Sequence, residues 1–303
     1  MSIIEIVLIV LGLCLFEVIS SIDNAVINAE VLNTMGKKAR KWFLTWGIFS
    51  AVFLVRGLLP LLIIWASAPS LGPWGALTAA FSNDPKVIEA IETSAPLLLM
   101  AGGIFLVFLF FNWLFQEPKN FGLRGERFFY KNSVWFYAIV SILLTTIVWL
   151  ALQKDPMLAF SASIGASLFF ITHGFKQNAE MQEKQLLKST RSDIAKLFYL
   201  EAIDTTFSID GVLGAFAFTL AVPLIFLGNG LGAIVLRQLT ISNIERVKRY
   251  IYLKNGAMYS VFFLGTIMLL DSFGFHIPSL ASPVITFIII GYFFFKSKRA
   301  LAK

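Results

Sequence analysis

The chain has 303 residues, of which 57% are hydrophobic and only 14% are charged, and its mean hydropathy is +0.78. Soluble domains have about 25% charged residues, so this composition excludes an ordinary soluble protein and predicts an all-α integral membrane protein. The net charge of +7 would suggest nucleic-acid binding in a soluble protein. Here the basic residues lie in short segments between apolar runs, so the expected partner is the lipid bilayer and no nucleic-acid partner is expected.

Apolar segments recur along the whole chain and predict about nine transmembrane helices. They cover roughly residues 5–34, 42–66, 95–116, 133–153, 158–175, 194–221, 223–244, 256–271 and 280–296. A polar segment separates the fifth from the sixth. The sequence therefore predicts a first membrane half with extra helices at 1–175, a cytoplasmic linker at 176–193 and a second membrane half at 194–303.

The basic residues alternate between the two sides of these predicted helices. Of the 25 lysines and arginines, 21 follow odd-numbered spans, two (Lys86 and Lys154) lie in the alternate loops, and two (Arg56 and Arg237) lie within spans. Because positive charge accumulates in cytoplasmic loops, we expect an outside N-terminus and a cytoplasmic C-terminus. The expected location is the cell membrane, most simply the cytoplasmic membrane of a bacterium.

The two halves share a local pattern. Glu17 is followed four residues later by a Ser-Ile-Asp sequence that ends at Asp23, and Asp204 is followed in the same register by a Ser-Ile-Asp sequence that ends at Asp210. In the next spans, Gly47 precedes Arg56 by nine positions, and Gly228 precedes Arg237 by nine positions. The first and sixth spans run in opposite directions across the membrane, so this is an internal repeat with inverted topology. Such repeats place a substrate site near the middle of the membrane at their interface.

Buried charges are the candidate functional residues. A charged side chain at the membrane centre costs about 2.5–3.5 kcal/mol, so it usually serves a function. Acids outnumber bases within the predicted spans, which favours a bound cation or raised carboxyl pKa values. Carboxylate, amide and hydroxyl oxygens suit Mg²⁺, Ca²⁺ and Mn²⁺ better than zinc or copper. The candidate ligands are Asp23, Asp210, Glu17, Asp204, Glu201 and Asn24, and the candidate charge partners are Arg56 and Arg237.

The spacing leaves one structural question open. Residues six apart on an unbroken helix point about 120° apart, so Glu17 and Asp23 would not share a face. Either the acids face different neighbours, or the helices unwind near Ser20–Ser21 and near Ser208–Gly211. Unwinding would free backbone carbonyls as further cation ligands.

Both halves also resemble a known family. The stretch Glu201-x-x-Asp204-x-x-Phe207-x-x-Asp210, followed by Phe216-Ala217-Phe218-Thr219, Gly228-Asn229 and Leu236-Arg237, resembles the C-terminal signature of the TerC family. The Asp23-Asn24-Ala25 run resembles its N-terminal signature, in a form closer to a TerC-related branch of unassigned function. The chain has Gly211 where a serine commonly follows the second aspartate. The resemblance implies a multi-pass fold of the lysine-exporter-like superfamily, and members of the family are implicated in manganese export and tellurite resistance.

The expected function is a secondary transporter that exports a divalent metal cation, with Mn²⁺ favoured by the resemblance. The transported cation is then the substrate, and no cofactor is expected. An enzyme is not expected, because the sequence lacks Gly-x-Ser-x-Gly and His-Glu-x-x-His motifs. The sequence also lacks the P-loop motif, so an ion gradient or the membrane potential would drive transport. Two alternatives are an exporter of an organic solute such as an amino acid and a resistance factor that transports nothing.

Overall fold

A computed structural model describes residues 2–47, 56–78, 84–119, 121–186, 192–242 and 249–301. No strand occurs in these ranges, and the all-α class is confirmed. The α-helices are α1 (Ile3–Ser20), α2 (Ile22–Asn33), α3 (Lys37–Trp42), α4 (Leu59–Ser67), α5 (Gly72–Thr78), α6 (Pro85–Gln116), α7 (Glu126–Lys131), α8 (Trp135–Lys154), α9 (Pro156–Leu186), α10 (Asp193–Ala215), α11 (Val222–Ser242), α12 (Leu253–Ser272) and α13 (Ala281–Leu301). A π-helical turn, Phe43–Gly47, follows α3.

Several of these helices are compatible with a multi-pass membrane protein. Within the described ranges, six stretches are long and apolar enough to cross a membrane: Ile3–Ser20, Thr93–Gln116, Trp135–Lys154, Pro156–Asn178, Val222–Leu239 and Leu253–Ser272. A seventh crossing results if Arg56–Ala66 and Pro69–Thr78, which are bent by 108°, form one broken span. The count by length and composition is therefore six or seven, whereas the sequence predicted about nine.

The other two predicted spans correspond to α10 and α13. Both helices are long enough to cross a membrane, with 23 and 21 residues. The composition of α10 is more polar because it contains Asp193, Lys196, Glu201, Asp204 and Asp210. Residues 48–55 of the predicted second span lie outside the described residues.

The outward faces of the helix bundle are apolar. Helix α8 shows this most clearly, since only 17% of its apolar stretch is buried inside the molecule. Large side chains such as Ile142, Trp149 and Leu152 are exposed. A helix that is apolar on its exposed side is suited to contact lipid. This distribution agrees with a bilayer rather than water as the surrounding solvent.

Helix α6 lies at the centre of the bundle and packs against α9 and α12. Small residues allow these close approaches: a Cβ on Gly265 of α12 would lie 3.1 Å from the carbonyl oxygen of Gly103 on α6. Phe105 and Phe108 of α6 make edge-to-face contacts with Phe169 of α9. Small residues at crossings are the usual way in which membrane helices come together, because lipid provides no hydrophobic drive between them.

Helix α1 makes a similarly close contact with α11. A Cβ on Gly228 would lie 2.5 Å from Leu13 Cβ, and one on Gly232 would lie 2.7 Å from Glu17 Cβ and 2.9 Å from the carbonyl oxygen of Cys14. Gly228 and Gly232 are four residues apart and therefore face α1 together. This contact brings Glu17 against the backbone of α11.

The segment predicted as a linker is helical at its start. Helix α9 continues to Leu186, well beyond the predicted end of the fifth span at residue 175. The sequence from Phe175 to Leu186 contains no glycine or proline, and its residues include several strong helix formers. Lys176 is consequently part of a helix and is buried rather than in a cytoplasmic loop. Residues 187–191 lie outside the described ranges.

Candidate functional site

The first predicted span is broken at one residue. Helix α1 ends at Ser20, α2 begins at Ile22, and Ser21 between them has φ −99° and ψ 6°. Ser21 N still donates to the carbonyl oxygen of Glu17 at 3.2 Å, and its hydroxyl donates to Glu17 Oε1 at 3.1 Å. In the second half, α10 is continuous through Ser208–Gly211, where the Ser208 hydroxyl donates to the Asp204 carbonyl at 2.6 Å. The helix is therefore interrupted at one residue in the first half, with its backbone hydrogen bonds kept on both sides of Ser21, and is uninterrupted in the second half.

The broken helix α1–α2 and helix α10 are antiparallel neighbours. As the residue number increases along α1–α2, the number of the residue contacted on α10 decreases. The contacts are Glu17 with Gly211, Asn24 with Asp204, Thr34 with Lys196, and Gly36 with Asp193. This is the relative direction that the repeat predicted for the two helices. It places the two Ser-Ile-Asp sequences on adjacent elements.

Glu17 is paired with Arg56. The Arg56 Nη2 lies 2.5 Å from Glu17 Oε1 and its Nε lies 3.1 Å from the same oxygen, while the exposed fractions of the two side chains are only 2% and 1%. Together with Ser21, three donors converge on one carboxylate oxygen. Buried charges of this kind are stable only when each is compensated. The structure thus brings the first predicted arginine to the first predicted acid of its own half.

Asp204 is paired with Arg237 in the corresponding way. The Arg237 Nη2 lies 3.3 Å from Asp204 Oδ2 and 3.5 Å from Glu201 Oε1. Its Nη1 donates to the Phe43 carbonyl at 2.8 Å, and its guanidinium lies 4.0 Å from the centre of the Phe43 ring. Glu201 and Asp204 are three residues apart, so they share the face that Arg237 contacts.

Asn24 connects the two halves. Its amide Nδ2 donates to Asp204 Oδ1 at 2.7 Å, and both residues are buried. Asp204 therefore accepts from the first half through one oxygen and from Arg237 through the other. The side chain of Asp23, the preceding residue on α2, lies outside the part of the structure that is described.

Asp210 points away from this cluster. Its Oδ2 forms an ion pair with Lys176 of α9, one turn after His173. The six-residue separation between Asp204 and Asp210 on a continuous helix turns the two side chains about 120° apart. Of the two alternatives that the sequence left open for the second half, the structure has the acids facing different neighbours on a continuous α10.

A small cavity lies between the two halves. Its lining includes Asn28, Arg56, Asp204 and Arg237, and it has room for about one water molecule or one bare ion. Both arginines and one carboxylate thus border the same space. Charged side chains of both repeats therefore border one enclosed space.

Several buried oxygens around α1, α2, α10 and α11 accept no hydrogen bond from the described residues. They are Glu17 Oε2, Asn24 Oδ1, Asn28 Oδ1, Asp210 Oδ1 and Asn229 Oδ1. Buried acceptors usually have a donor, so this concentration is unusual. All are hard oxygen atoms of the kind that Mg²⁺, Ca²⁺ and Mn²⁺ bind.

A preassembled metal cluster is not seen. Within the described ranges, no three His, Cys, Asp or Glu side chains lie close enough together to hold a metal ion. The acids are instead separated and held by basic or amide side chains. Binding of a cation by several carboxylates would require these ion pairs to open.

Sequence reasoning missed several buried charged groups, among them Lys176 and Glu126. Lys176 was counted as a loop residue, although the absence of helix breakers up to Leu186 indicated that α9 continues. Glu126, on the short helix α7, is 1% exposed and accepts hydrogen bonds from Asn255 at 2.7 Å and from Tyr259 at 3.1 Å on α12. No sequence signal indicated that pairing, because Glu126 lies in a polar segment that looks solvated.

Lys119 lies near Glu126, just beyond the membrane-spanning part of α6. Its ammonium group donates to the Trp113 carbonyl and lies 3.8 Å from the centre of the Trp113 ring. Burial lowers the pKa of Lys119 to about 8, and the neighbouring carboxylates of Glu117 and Glu126 only partly oppose this. This polar cluster joins α6, α7 and α12 outside the candidate site.

The helical bundle with its lipid-suited surface and buried ion pairs defines the chain as an all-α multi-pass membrane protein. Comparison with known proteins adds one match: a family model described as a protein of unknown function, DUF475, matches residues 22–301. The match covers most of the chain, which therefore belongs to the DUF475 family. No curated protein and no solved structure matches the chain.

Proposed function

We propose that this protein is a secondary transporter that exports a hard divalent cation through the carboxylates between its two repeats. The observation that supports this most is the charge balance of the membrane core. Among the described residues of these helices, the acids Glu17, Glu201, Asp204 and Asp210 and the bases Arg56, Lys176, Lys196 and Arg237 are buried or half-buried. Asp23 on α2 adds a further acid to the same region. An excess of acids over bases in this region favours a cation as the substrate.

In this proposal the arginines hold the acids while no cation is bound. A divalent ion entering the cavity competes with Arg56 for the Glu17 carboxylate, and this ion pair reforms when the ion leaves. This exchange keeps the core close to neutral in both states, which reduces the cost of charge in the membrane. The donor-free oxygens of Asn24 and Asn28 supply further hard ligands. The resemblance to the TerC family favours Mn²⁺ among hard cations.

Transport of an organic solute is the second candidate. Both arginines line the cavity, and arginine binds carboxylate groups well. Each arginine, however, is already paired with a buried acid, which reduces its availability for a substrate carboxylate. A non-transporting resistance factor is the remaining alternative, and it predicts no flux of either class.

The test is Mn²⁺ uptake into liposomes that contain the purified full-length protein. We expect saturable Mn²⁺ flux in the wild type and loss of that flux in Asp23→Asn and Asp210→Asn, which keep side-chain size but remove charge. Membrane abundance is expected to stay near normal for Asp23→Asn. The Asp210→Asn change removes the ion pair between Asp210 and Lys176, so the double variant Asp210→Asn with Lys176→Met separates folding from transport.

Asp155→Asn is the matched control, because Asp155 lies between α8 and α9 and asparagine can replace its hydrogen bond to the backbone of Met157. This variant should transport Mn²⁺ like the wild type. Full flux in the double variant Asp23→Asn and Asp210→Asn would remove both residues from the mechanism. Flux of amino acids without flux of Mn²⁺ would favour the second candidate.

We also propose that the N-terminus lies outside and the C-terminus in the cytoplasm, from the distribution of positive charge. Reporter fusions at positions 125 and 185 are expected to show both positions in the cytoplasm, since both follow helices that end on the strongly basic side. A reporter that places the two positions on opposite sides of the membrane would contradict this topology. Fusions to position 155 provide the comparison, since this position should be outside.

A further inference from the structure

The two repeats exchange equivalent contacts across their interface. Glu17 occupies the position equivalent to Asp204, and Asn24 occupies the position equivalent to Gly211. In the structure, residue 24 contacts Asp204, while residue 211 contacts Glu17. The contact between these two equivalent positions therefore occurs twice. In one case the acid belongs to the second half, and in the other it belongs to the first half.

These two equivalent contacts differ in chemistry. Asn24 donates its amide to Asp204 Oδ1 at 2.7 Å. Gly211 has no side chain to offer, and a Cβ placed on it would lie 2.5 Å from Glu17 Oε2. Among the described residues, Glu17 Oε2 accepts no hydrogen bond, although Oε1 of the same carboxylate has three donors.

Asn229 of α11 approaches Gly211 as well. Its Nδ2 donates to the Gly211 carbonyl at 3.4 Å, and this contact orients the amide. Its Oδ1 accepts no hydrogen bond within the described part of the chain. Asn229 is 0% exposed and Glu17 is 1% exposed, so both donor-free oxygens are fully buried next to the same glycine.

We propose that Glu17 Oε2 and Asn229 Oδ1, which flank Gly211, form the first binding position of the transported cation, and that the Asp204 side is a fixed charge partner. This inference rests on the proposed transport function. It adds that the two repeats have different roles, since the Glu17 side binds the cation and the Asp204 side does not. Asn24 and Arg237 already occupy both oxygens of Asp204. The Glu17 side retains a carboxylate oxygen that accepts no hydrogen bond from the described residues, together with the amide oxygen of Asn229. This combination suits a hard divalent cation such as Mn²⁺, Mg²⁺ or Ca²⁺.

Gly211→Asn tests the inference by offering Glu17 the same kind of amide donor that Asn24 provides to Asp204. The new amide is expected to donate to Glu17 Oε2, or to displace that oxygen, and to weaken Mn²⁺ binding by about tenfold or more, as expected for loss of one contact to a charged group. Binding of Mn²⁺ to the purified full-length protein is measured from the decrease in the electron paramagnetic resonance signal of free Mn²⁺. Gly291→Asn is the control, because nothing lies within 4 Å of a Cβ at Gly291 on α13.

Asn229 provides a second test that does not depend on how Gly211→Asn folds. Asn229→Leu should weaken Mn²⁺ binding by a similar factor, and Asn229→Asp should tighten it, because the first removes an oxygen and the second adds a charge. Wild-type binding by Gly211→Asn, or by both Asn229 variants, would overturn the site. Weakened binding in these variants without Mn²⁺ flux in the wild type would retain the site and refute transport. If the wild-type protein does not bind Mn²⁺, the site is refuted. The Mn²⁺ flux of the wild type in liposomes then decides the transport proposal on its own.

Discussion

Replacing Glu17 with glutamine is expected to destabilise the protein by about 3–5 kcal/mol, because it removes the buried carboxylate charge with which Arg56 pairs. Arg56 is 2% exposed, and its Nε and Nη2 both donate to the same oxygen of Glu17. Glutamine retains an oxygen but not the charge that makes these contacts strong. We expect a lower unfolding temperature in detergent and lower abundance in the membrane.

The double variant Glu17→Gln with Arg56→Gln separates stability from function. Removing both charges together should recover most of the lost stability, since neutral replacements of a buried pair are often tolerated. It should not recover Mn²⁺ flux, because the proposed cation ligand is absent. Recovery of flux in the double variant would show that Glu17 and Arg56 only join helices.

Glu117→Gln is the matched control for this experiment. Glu117 pairs with Lys254, but the two side chains are 39% and 40% exposed. Exposed ion pairs contribute about 0–1 kcal/mol, so this change should have little effect on the unfolding temperature. Equal destabilisation by Glu17→Gln and Glu117→Gln would contradict burial as the cause.

Gly232→Ala is expected to destabilise the contact between α1 and α11 by about 1–3 kcal/mol and to reduce Mn²⁺ flux as well. The added Cβ would lie 2.7 Å from Glu17 Cβ and 2.9 Å from the carbonyl oxygen of Cys14. A backbone oxygen cannot move aside as a flexible side chain can, so α1 and α11 must separate. Glu17 would then shift away from Arg56 and Gly211.

Gly291→Ala supplies the comparison for this substitution. An added Cβ meets no atom within 4 Å at Gly291, and alanine has a higher helix propensity than glycine, so this variant should be as stable as the wild type or slightly more stable. Thermal unfolding in detergent measures both variants. An unchanged unfolding temperature for Gly232→Ala would mean that the two helices are not packed as closely as the structure shows.

The sequence was sufficient for the class of protein and for most helix positions. Long apolar runs must be helical in a bilayer, because every backbone polar group needs a partner within the segment. The internal repeat indicated which charges correspond, and Arg56 and Arg237 each lie against the first acid of their own half. The number of spans was less well determined, since α10 combines the length of a span with five charged residues.

The arrangement of the acids depended on tertiary structure. Sequence spacing permitted either a straight or an unwound helix at both Ser-Ile-Asp sequences, and the structure breaks only the first, at Ser21. The continuous α10 consequently directs Asp210 to Lys176 on α9 rather than towards Asp204. Lys176 comes within reach because α9 extends beyond the apolar part of its sequence. A hydropathy pattern reports where a helix leaves the membrane but not where the helix ends.

Sequence alone determined the all-α membrane class and indicated the repeat and the charges of its Ser-Ile-Asp segments, because these follow from composition and from local periodicity. The partners of those charges were decided by the packing of α1, α10 and α11, where glycines permit contacts closer than any side chain would. Gly211 illustrates the difference: in the sequence it is one residue after a conspicuous aspartate. In the structure Gly211 faces Glu17 and offers it no hydrogen-bond donor, whereas Asn24, at the equivalent position of the other half, donates to Asp204. The sequence does not reveal this difference, because a hydrogen bond depends on the residue across the interface.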